Sequence, residues 1–292
     1  MRWQVAVGGS TLFPRQGLAA SAFLGPATLA VVLLLVAPLS LLGRYSLNQY
    51  SQTELMVEAV TPENYIRFFT DPFYLDVMRT TVTVALLSTA LCVVLGVPLA
   101  WFLARMEGRW KAVCMLAIVL PLFIGSTVRT VGWMILFARG GVLDLASTSL
   151  IGERTDLMST ATAVVIGILS FNLPYLVLTV QGVFESINPY FEQAAQGLGA
   201  APARAFWRVV WPLALPGITI GAVLCFVLSM NAYATPVLLG GPRFHMMAPL
   251  LFWEFGTNNN WPFAAALAFI LMATTLALTM LANLLIPRRY RA

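Results

Sequence analysis

Along this chain apolar and polar positions do not alternate; they are sorted into long blocks. Six windows carry no charged residue: 16–43, 80–104, 112–128, 157–184, 209–242 and 255–287. A helix needs roughly 17 to 25 apolar residues to cross the hydrocarbon of a bilayer, and each window reaches that length, the third only just. The windows are continuously apolar, without the two-residue period that an outer-membrane barrel shows, so all six read as helices. The fold class that follows is an all-α membrane protein with six transmembrane helices. Residues 1–20 are expected as an N-terminal segment and 21–292 as one membrane domain. The start, MRWQVAVGGSTLFPRQG, lacks a compact positive region, short apolar core and small-residue cleavage site, so the first span is expected to be retained as an anchor.

Between the fourth and fifth windows lies a segment of a different kind, FEQAAQGLGAAPARAFWRVVWPLALPGI, from Phe191 to Ile218. Asn188 and Pro189 suit a helix start, because the Asn side chain accepts an orphan backbone N–H and Pro presets φ at the first helical position. Gly197 and Gly199 suit its stop. A second helix is expected from Pro202 through Phe206, Trp207 and Arg208, ending at Pro212. The small side chains of Ala194 and Ala195 leave one face on which another protein surface can approach the backbone, and Gln193 offers amide donors and acceptors beside it. The pattern is helix, turn, helix over about 186–213.

Composition agrees with a bilayer: 59% hydrophobic residues and only 10% charged, with a mean hydropathy of +0.83. Charge then sets orientation. With six spans both ends share a side, and that side carries ten of the seventeen cations and three of the twelve acids, a net of +7 against −2 opposite. Retained positive charge favours the cytoplasm, which places both ends and the Phe191–Ile218 segment there. Topology explains the basic pI of about 9.4 and gives no reason to invoke nucleic acid.

The chain shows no phosphate-cradling loop of the Gly-Lys-Ser/Thr type, and its single lysine, Lys111, follows Arg109 and Trp110. Cys92, Cys114 and Cys225 fall in the windows and His245 in an outer loop, where they read as core thiols and a solvated imidazole. No nucleophile, base and acid cluster in sequence, and no metal site is expected. Any energy the chain uses must therefore come from a partner or from an ion gradient. A gradient-driven carrier commonly shows an inverted repeat, and none is evident between the halves.

The Phe191–Ile218 segment resembles the EAA loop of the membrane subunits of ABC importers: EAA, three residues, Gly, nine residues, then Ile, any residue, Leu, Pro. Ala194, Ala195, Gly199 and Pro212 match it. Gln193 stands in place of Glu, Val209 of Ile and Trp211 of Leu, with Glu192 one position before the Gln. The resemblance implies a type I importer fold whose cytoplasmic coupling loop inserts into a groove of an ATPase subunit. The coupling residues it implies are Glu192, Gln193, Ala194, Ala195, Leu198, Gly199 and Ala200. A second set of segments, TPENYIRFFTD (Thr61–Asp71), VRTVGWMILFARGGVL (Val128–Leu143), NAYATPVLLGGPR (Asn231–Arg243) and NWPFAAALA (Asn260–Ala268), is similar to the polyamine branch of these permeases. That branch implies import of spermidine or putrescine, while related branches carry thiamine, ferric ion, sulfate or opines. The resemblance further implies a bacterial inner-membrane location, a cytoplasmic ATPase dimer, a second homologous permease and an extracytoplasmic substrate-binding protein. No cofactor is expected in this chain, ATP and Mg being bound by the partner ATPase.

A substrate pathway is harder to read, because the windows hold no ionisable residue. Asn172 and Asn231 are amides at or near membrane depth, serving either as glue between helices or as pathway groups. Pro174 and Pro236 beside them are expected to break their helices, which is tolerated where freed backbone faces protein or a wet cavity. That adds Tyr233 and Thr235. At the outer mouth Trp253, Glu254 and Trp261 suit a cation through charge pairing and ring faces, or else are an interfacial belt and a solvated acid. Arg129 is expected to snorkel to the outer interface.

Overall fold

The computed structural model describes residues 13–53, 55–144 and 157–285. The first twelve residues, Glu54, the acids Glu153 and Asp156, and the terminal cations Arg288, Arg289 and Arg291 lie outside the described residues. Among the described residues twelve bounded helices follow one another. They are α1 (Phe13–Ser46), α2 (Glu63–Thr70), α3 (Pro72–Arg105), α4 (Arg109–Val119), α5 (Ser126–Phe137), α6 (Ala161–Ser186), α7 (Tyr190–Gly197), α8 (Pro202–Ala205), α9 (Trp211–Met230), α10 (Ala234–Leu239), α11 (Met247–Gly256) and α12 (Trp261–Leu285). Among the described residues the backbone pairs in strand fashion only at a single bridge between Gln49 and Val57.

Helix ends follow local chemistry. Asp71 caps α3 by accepting the N–H of Phe73 at 2.9 Å, with Pro72 in the first turn. Thr160 caps α6 by accepting the N–H of Ala163 at 3.2 Å. At the far end of α3 the chain turns through Gly108, whose φ of +74° suits a residue without Cβ.

Helices α3, α6 and α9 form the centre. Lipid tails are as apolar as leucine, so their association rests on close packing more than on water exclusion. Glycines supply the closeness: a Cβ at Gly96 would lie 2.5 Å from Leu176 Cδ2, and one at Gly217 would overlap Val183. Cys92, Val97, Leu103, Leu176, Val180, Phe184, Val210 and Ile218 fill the space between them. A second cluster around Phe68, Tyr74, Met247, Phe263 and Leu267 joins α2, α11 and α12 to the other end of α3. Helix α1 stands apart. Every residue of Val31–Val36 is more than half exposed, so this stretch faces lipid or another chain, while Gly43 leans on Phe269 of α12.

Among the described residues five helical stretches are long enough and apolar enough to cross a membrane, and the third expected span is different. Residues 112–128 do not form one rod. Helix α4 runs into a 3₁₀ turn, Leu120–Phe123, and the chain then bends by 100° into α5. Pro121 lies in the tight turn and Gly125 at the corner, which is why a window that only just reaches span length breaks there.

Other expectations change as well. Pro174 sits inside a continuous α6 and does not break it. A proline at 174 leaves the Ser170 carbonyl without its usual i+4 donor, and Arg129 takes that place. Its Nη1 donates to Ser170 O at 3.4 Å, its Nη2 donates to the carbonyls of Pro121 and Ile124, and the guanidinium lies 5.2 Å from the centre of the Phe171 ring. Arg129 therefore does not snorkel outward; it donates to two carbonyls beside the bend and to the one that Pro174 leaves without a donor. Pro212 likewise fails to end the second helix of the loop, because a π turn, Phe206–Val210, widens the ladder just before it and helix continues from Pro202 to Met230. The fifth window instead ends helix at Met230, and Pro236 opens the short α10 from within its first turn.

Replacing Arg129 with Met should leave the Ser170 and Ile124 carbonyls without this donor. A loss of about 1–3 kcal/mol is expected, read as a lower thermal unfolding midpoint of the purified chain in detergent, with Arg129→Lys recovering part of it. An unchanged midpoint in Arg129→Met would contradict this role.

Candidate functional site

Two regions carry the candidate residues, at opposite ends of α6. The first is the turn after it. Asn188 Oδ1 accepts the N–H of Tyr190 at 3.0 Å and so starts α7. At the other end the N–H of Gly199 meets Gln196 O at 2.9 Å and that of Ala200 meets Ala195 O at 3.1 Å, with Gly199 at φ +87°. This pair of bonds around a left-handed glycine is the Schellman stop, which satisfies carbonyls at a helix C-terminus. Chain direction then reverses through Ala201 into α8.

Helix α7 has two unlike sides. Glu192 turns inward, and its Oε2 lies 3.4 Å from Arg105 Nη2 at the end of α3, with a side chain only 14% exposed. Gln193, Ala194, Leu198 and Gly199 face outward with Tyr190 and Phe191, while Ala195 and Ala200 are half-buried. Leu198 is 90% exposed and Tyr190 72%, an outlay of apolar surface on an eight-residue helix that a monomer does not use. Glu192 is thus already paired within the chain. The outward amide belongs to Gln193, at the position the loop pattern gives to glutamate.

The second region is a cavity of about 290 Å³ where α6 faces the end of α9 and the start of α5. Of the six pathway candidates it gathers four, Asn172, Asn231, Tyr233 and Thr235, and adds Ser126, Thr127 and Phe171. Asn172 is fully buried. Its Nδ2 donates to Cys225 O at 3.1 Å and to Ser229 Oγ at 2.7 Å, tying α6 to α9. The orientation of the amide is set by Cys225 O, which can only accept. Oδ1 is left without a partner. Asn172 is both glue and cavity lining. Asn231 spends its Nδ2 on Val227 O at 2.9 Å while capping the end of α9. Thr235 packs so tightly on α6 that a Cβ at Gly167 would lie 2.5 Å from its Cγ2.

Tyr233 also borders a wider, more open cavity of about 670 Å³, which Trp253 and His245 line. The Tyr233 ring lies 4.5 Å from that of Phe252. Glu254 does not join Trp253 there. Successive helical residues point about 100° apart, and Glu254 is turned inward, 6% exposed, accepting a hydrogen bond from Asn258 Nδ2 at 3.0 Å. It is neither a mouth carboxylate nor a solvated acid. Trp261 stacks on Phe255, with ring centres 5.7 Å apart.

Sequence reasoning missed Ser126, Thr127, Phe171 and Ser229. Ser229 follows Cys225 by one helical turn and so shares its face toward Asn172, a signal that spacing alone held; Ser126 and Thr127 become lining only through the bend at Gly125. The ion pairs of Arg105 and of Lys111, the latter 2.7 Å from Glu185, were also unforeseen.

With this geometry in view, comparison with known proteins is informative. Residues 93–291 match the family described as binding-protein-dependent transport system inner membrane component. The chain is 29% identical over 261 residues, 89% of it and 86% of the relative, to the spermidine/putrescine transport system permease protein PotB of Haemophilus influenzae. It is 30% identical to the protein of the same name in Escherichia coli K12, covering 80% of this chain and 82% of the other. A molybdenum transport system permease protein ModB of Mycobacterium bovis is 32% identical over 73% of the chain and 79% of that protein. In fold, the chain resembles a subunit in the crystal structure of a bacterial alginate ABC transporter in complex with an alginate pentasaccharide-bound periplasmic protein, with a TM-score of 0.78 at 16% identity, covering 95% of this chain and 97% of that one. The apolar spans, the loop and the match over two thirds of the sequence agree: the chain belongs to the family of binding-protein-dependent transport system inner membrane components, the multi-pass permease subunits of ABC importers.

Proposed function

We propose that this permease carries a polyamine or a closely similar cationic amine, as one half of a pore driven by a cytoplasmic ATPase dimer. The observation that carries the substrate class is the cavity beside Asn172. Its walls include the hydroxyl residues Ser126 and Thr127, the Asn231 amide and the rings of Phe171 and Tyr233, which offer acceptors and ring faces. Ammonium groups are donors without acceptors and are attracted to ring faces. The names of the relatives point the same way. Asn172, Asn231, Tyr233 and Thr235 are the pathway residues of this reading, with Trp253 at its wider mouth and Glu254 in a supporting place behind it.

The exposed side of α7 is the docking surface. Gln193, Ala194, Ala195, Leu198, Gly199 and Ala200 meet the ATPase, and Glu192 holds the helix to α3. Both ends of the chain and α7 lie in the cytoplasm, a second homologous permease completes the pore, and an extracytoplasmic binding protein delivers substrate. ATP and Mg are bound by the ATPase.

The test is uptake into proteoliposomes holding the complex purified through this chain, with the binding protein supplied. Labelled spermidine or putrescine should accumulate with ATP, and unlabelled polyamine should compete while molybdate should not. Accumulation of molybdate, or of another solute that polyamine does not displace, would overturn the substrate class. A second expectation concerns Gly199. Its left-handed φ costs a residue with Cβ about 1–2 kcal/mol, yet nothing lies within 4 Å of that Cβ. Gly199→Val should therefore insert normally and lose uptake because its side chain stands on the docking surface; full uptake by a normally inserted variant would count against docking there.

A further inference from the structure

Helix α4 is weakly held by packing. None of its residues is buried, and Trp110, Val113 and Leu116 are exposed by more than half. Its position against α6 rests on partly buried Cys114, Met115 and Ile118 and on polar ties at its first turn. Lys111 Nζ lies 2.7 Å from Glu185 Oε1, and the same carboxylate accepts from Gln181 Nε2 at 3.0 Å. Gln181 Nε2 also lies 3.7 Å from Met115 Sδ. One residue before the 106–108 turn that leads into α4, Arg105 pairs with Glu192. Two cations of one corner, Arg105 and Lys111, thus hold the two carboxylates that flank the 186–189 connection into α7.

At its other end α4 leads through the 3₁₀ turn into the 100° bend, where Arg129 joins the carbonyls of Pro121 and Ile124 to Ser170 of α6. Ser126 and Thr127, just past the bend, line the cavity that Asn172 also lines. The bent element therefore runs from beside α7 to the cavity wall, with charged ties at the near end and a guanidinium staple at the corner.

We infer that Arg105 and Lys111 are positioning residues that clamp the α3–α4 corner to both sides of the α6–α7 connection, so that movement of α7 is carried along α4 to the cavity wall at Ser126 and Thr127. This rests on the reading of α7 as the ATPase docking element. Packing alone would let α4 lag behind α6, whereas paired charges on either side of the connection make the corner follow it. Loosening one pair should uncouple hydrolysis from transport without releasing the ATPase.

The experiment compares the wild-type complex with Lys111→Gln, Glu185→Gln, Arg105→Gln and the exchange Lys111→Glu with Glu185→Lys, reading co-purified ATPase, ATP hydrolysis and labelled spermidine uptake in proteoliposomes. Each single variant should keep its ATPase and its hydrolysis while uptake per ATP falls by at least about fivefold, the low end of ordinary coupling between sites. The exchange should restore most of that ratio, which a loss of folding would not allow. Unchanged uptake per ATP in the single variants, or an exchange as poor as Lys111→Gln, would overturn the clamp. Absence of ATPase from the wild-type complex would instead overturn the docking reading on which it rests.

Discussion

In the hydrocarbon of a bilayer no water is at hand to take up a free N–H or C=O, and much of this fold is arranged around that constraint. Pro174 leaves the Ser170 carbonyl without a backbone donor and the bend after α4 does the same at Ile124, while the Pro121 carbonyl takes the N–H of Ile124 at 3.1 Å. One guanidinium, Arg129, serves all three. It permits a sharp corner at a depth where only regular helix is otherwise tolerated, and the corner brings Ser126 and Thr127 to face Asn172 across a cavity. Trp133 adds a fourth tie, its Nε1 donating to Ser170 Oγ at 2.8 Å. Arg129 and Trp133 together hold the third element against α6, and with it the cavity wall at Ser126 and Thr127.

The membrane class, the helix after Asn188 and the stop at Gly199 were legible because they depend on local signals: charge-free length, a side-chain cap, and a glycine where the backbone turns left-handed. The six windows mark real elements. What length could not tell is whether a window is straight. The third barely reaches span length and contains Pro121 and Gly125, and both the bend and the role of Arg129 depend on contacts with α6 that lie about forty residues away. Pro174 and Pro212 misled for a related reason. A missing donor need not break a helix when a side chain or a π turn meets the need, and neither remedy is written next to the proline.

Among the site residues, Asn172, Asn231, Tyr233 and Thr235 were found as amides, hydroxyls and prolines out of place in apolar windows, and they do share one cavity. Glu254 was misjudged because neighbouring residues of α11 point about 100° apart: Trp253 borders the open space while Glu254 turns inward to Asn258. Glu192 shows the same limit. Position in a loop pattern suggests an outward carboxylate, but the fold sets Arg105 beside it, and the outward polar group is Gln193. On α7 the one carboxylate is spent on an internal tie, and a face of amide, alanine and Leu198 stays exposed.

On the proposed function, this permease works only as part of an ATP-driven assembly gripped at α7. The most direct measurement is purification of the tagged chain from its own membranes in mild detergent, with mass-spectrometric identification of stoichiometric companions. The account predicts a P-loop ATPase together with a second, unlike permease. A chain recovered alone from a preparation that still transports would contradict it and point to a gradient-driven carrier.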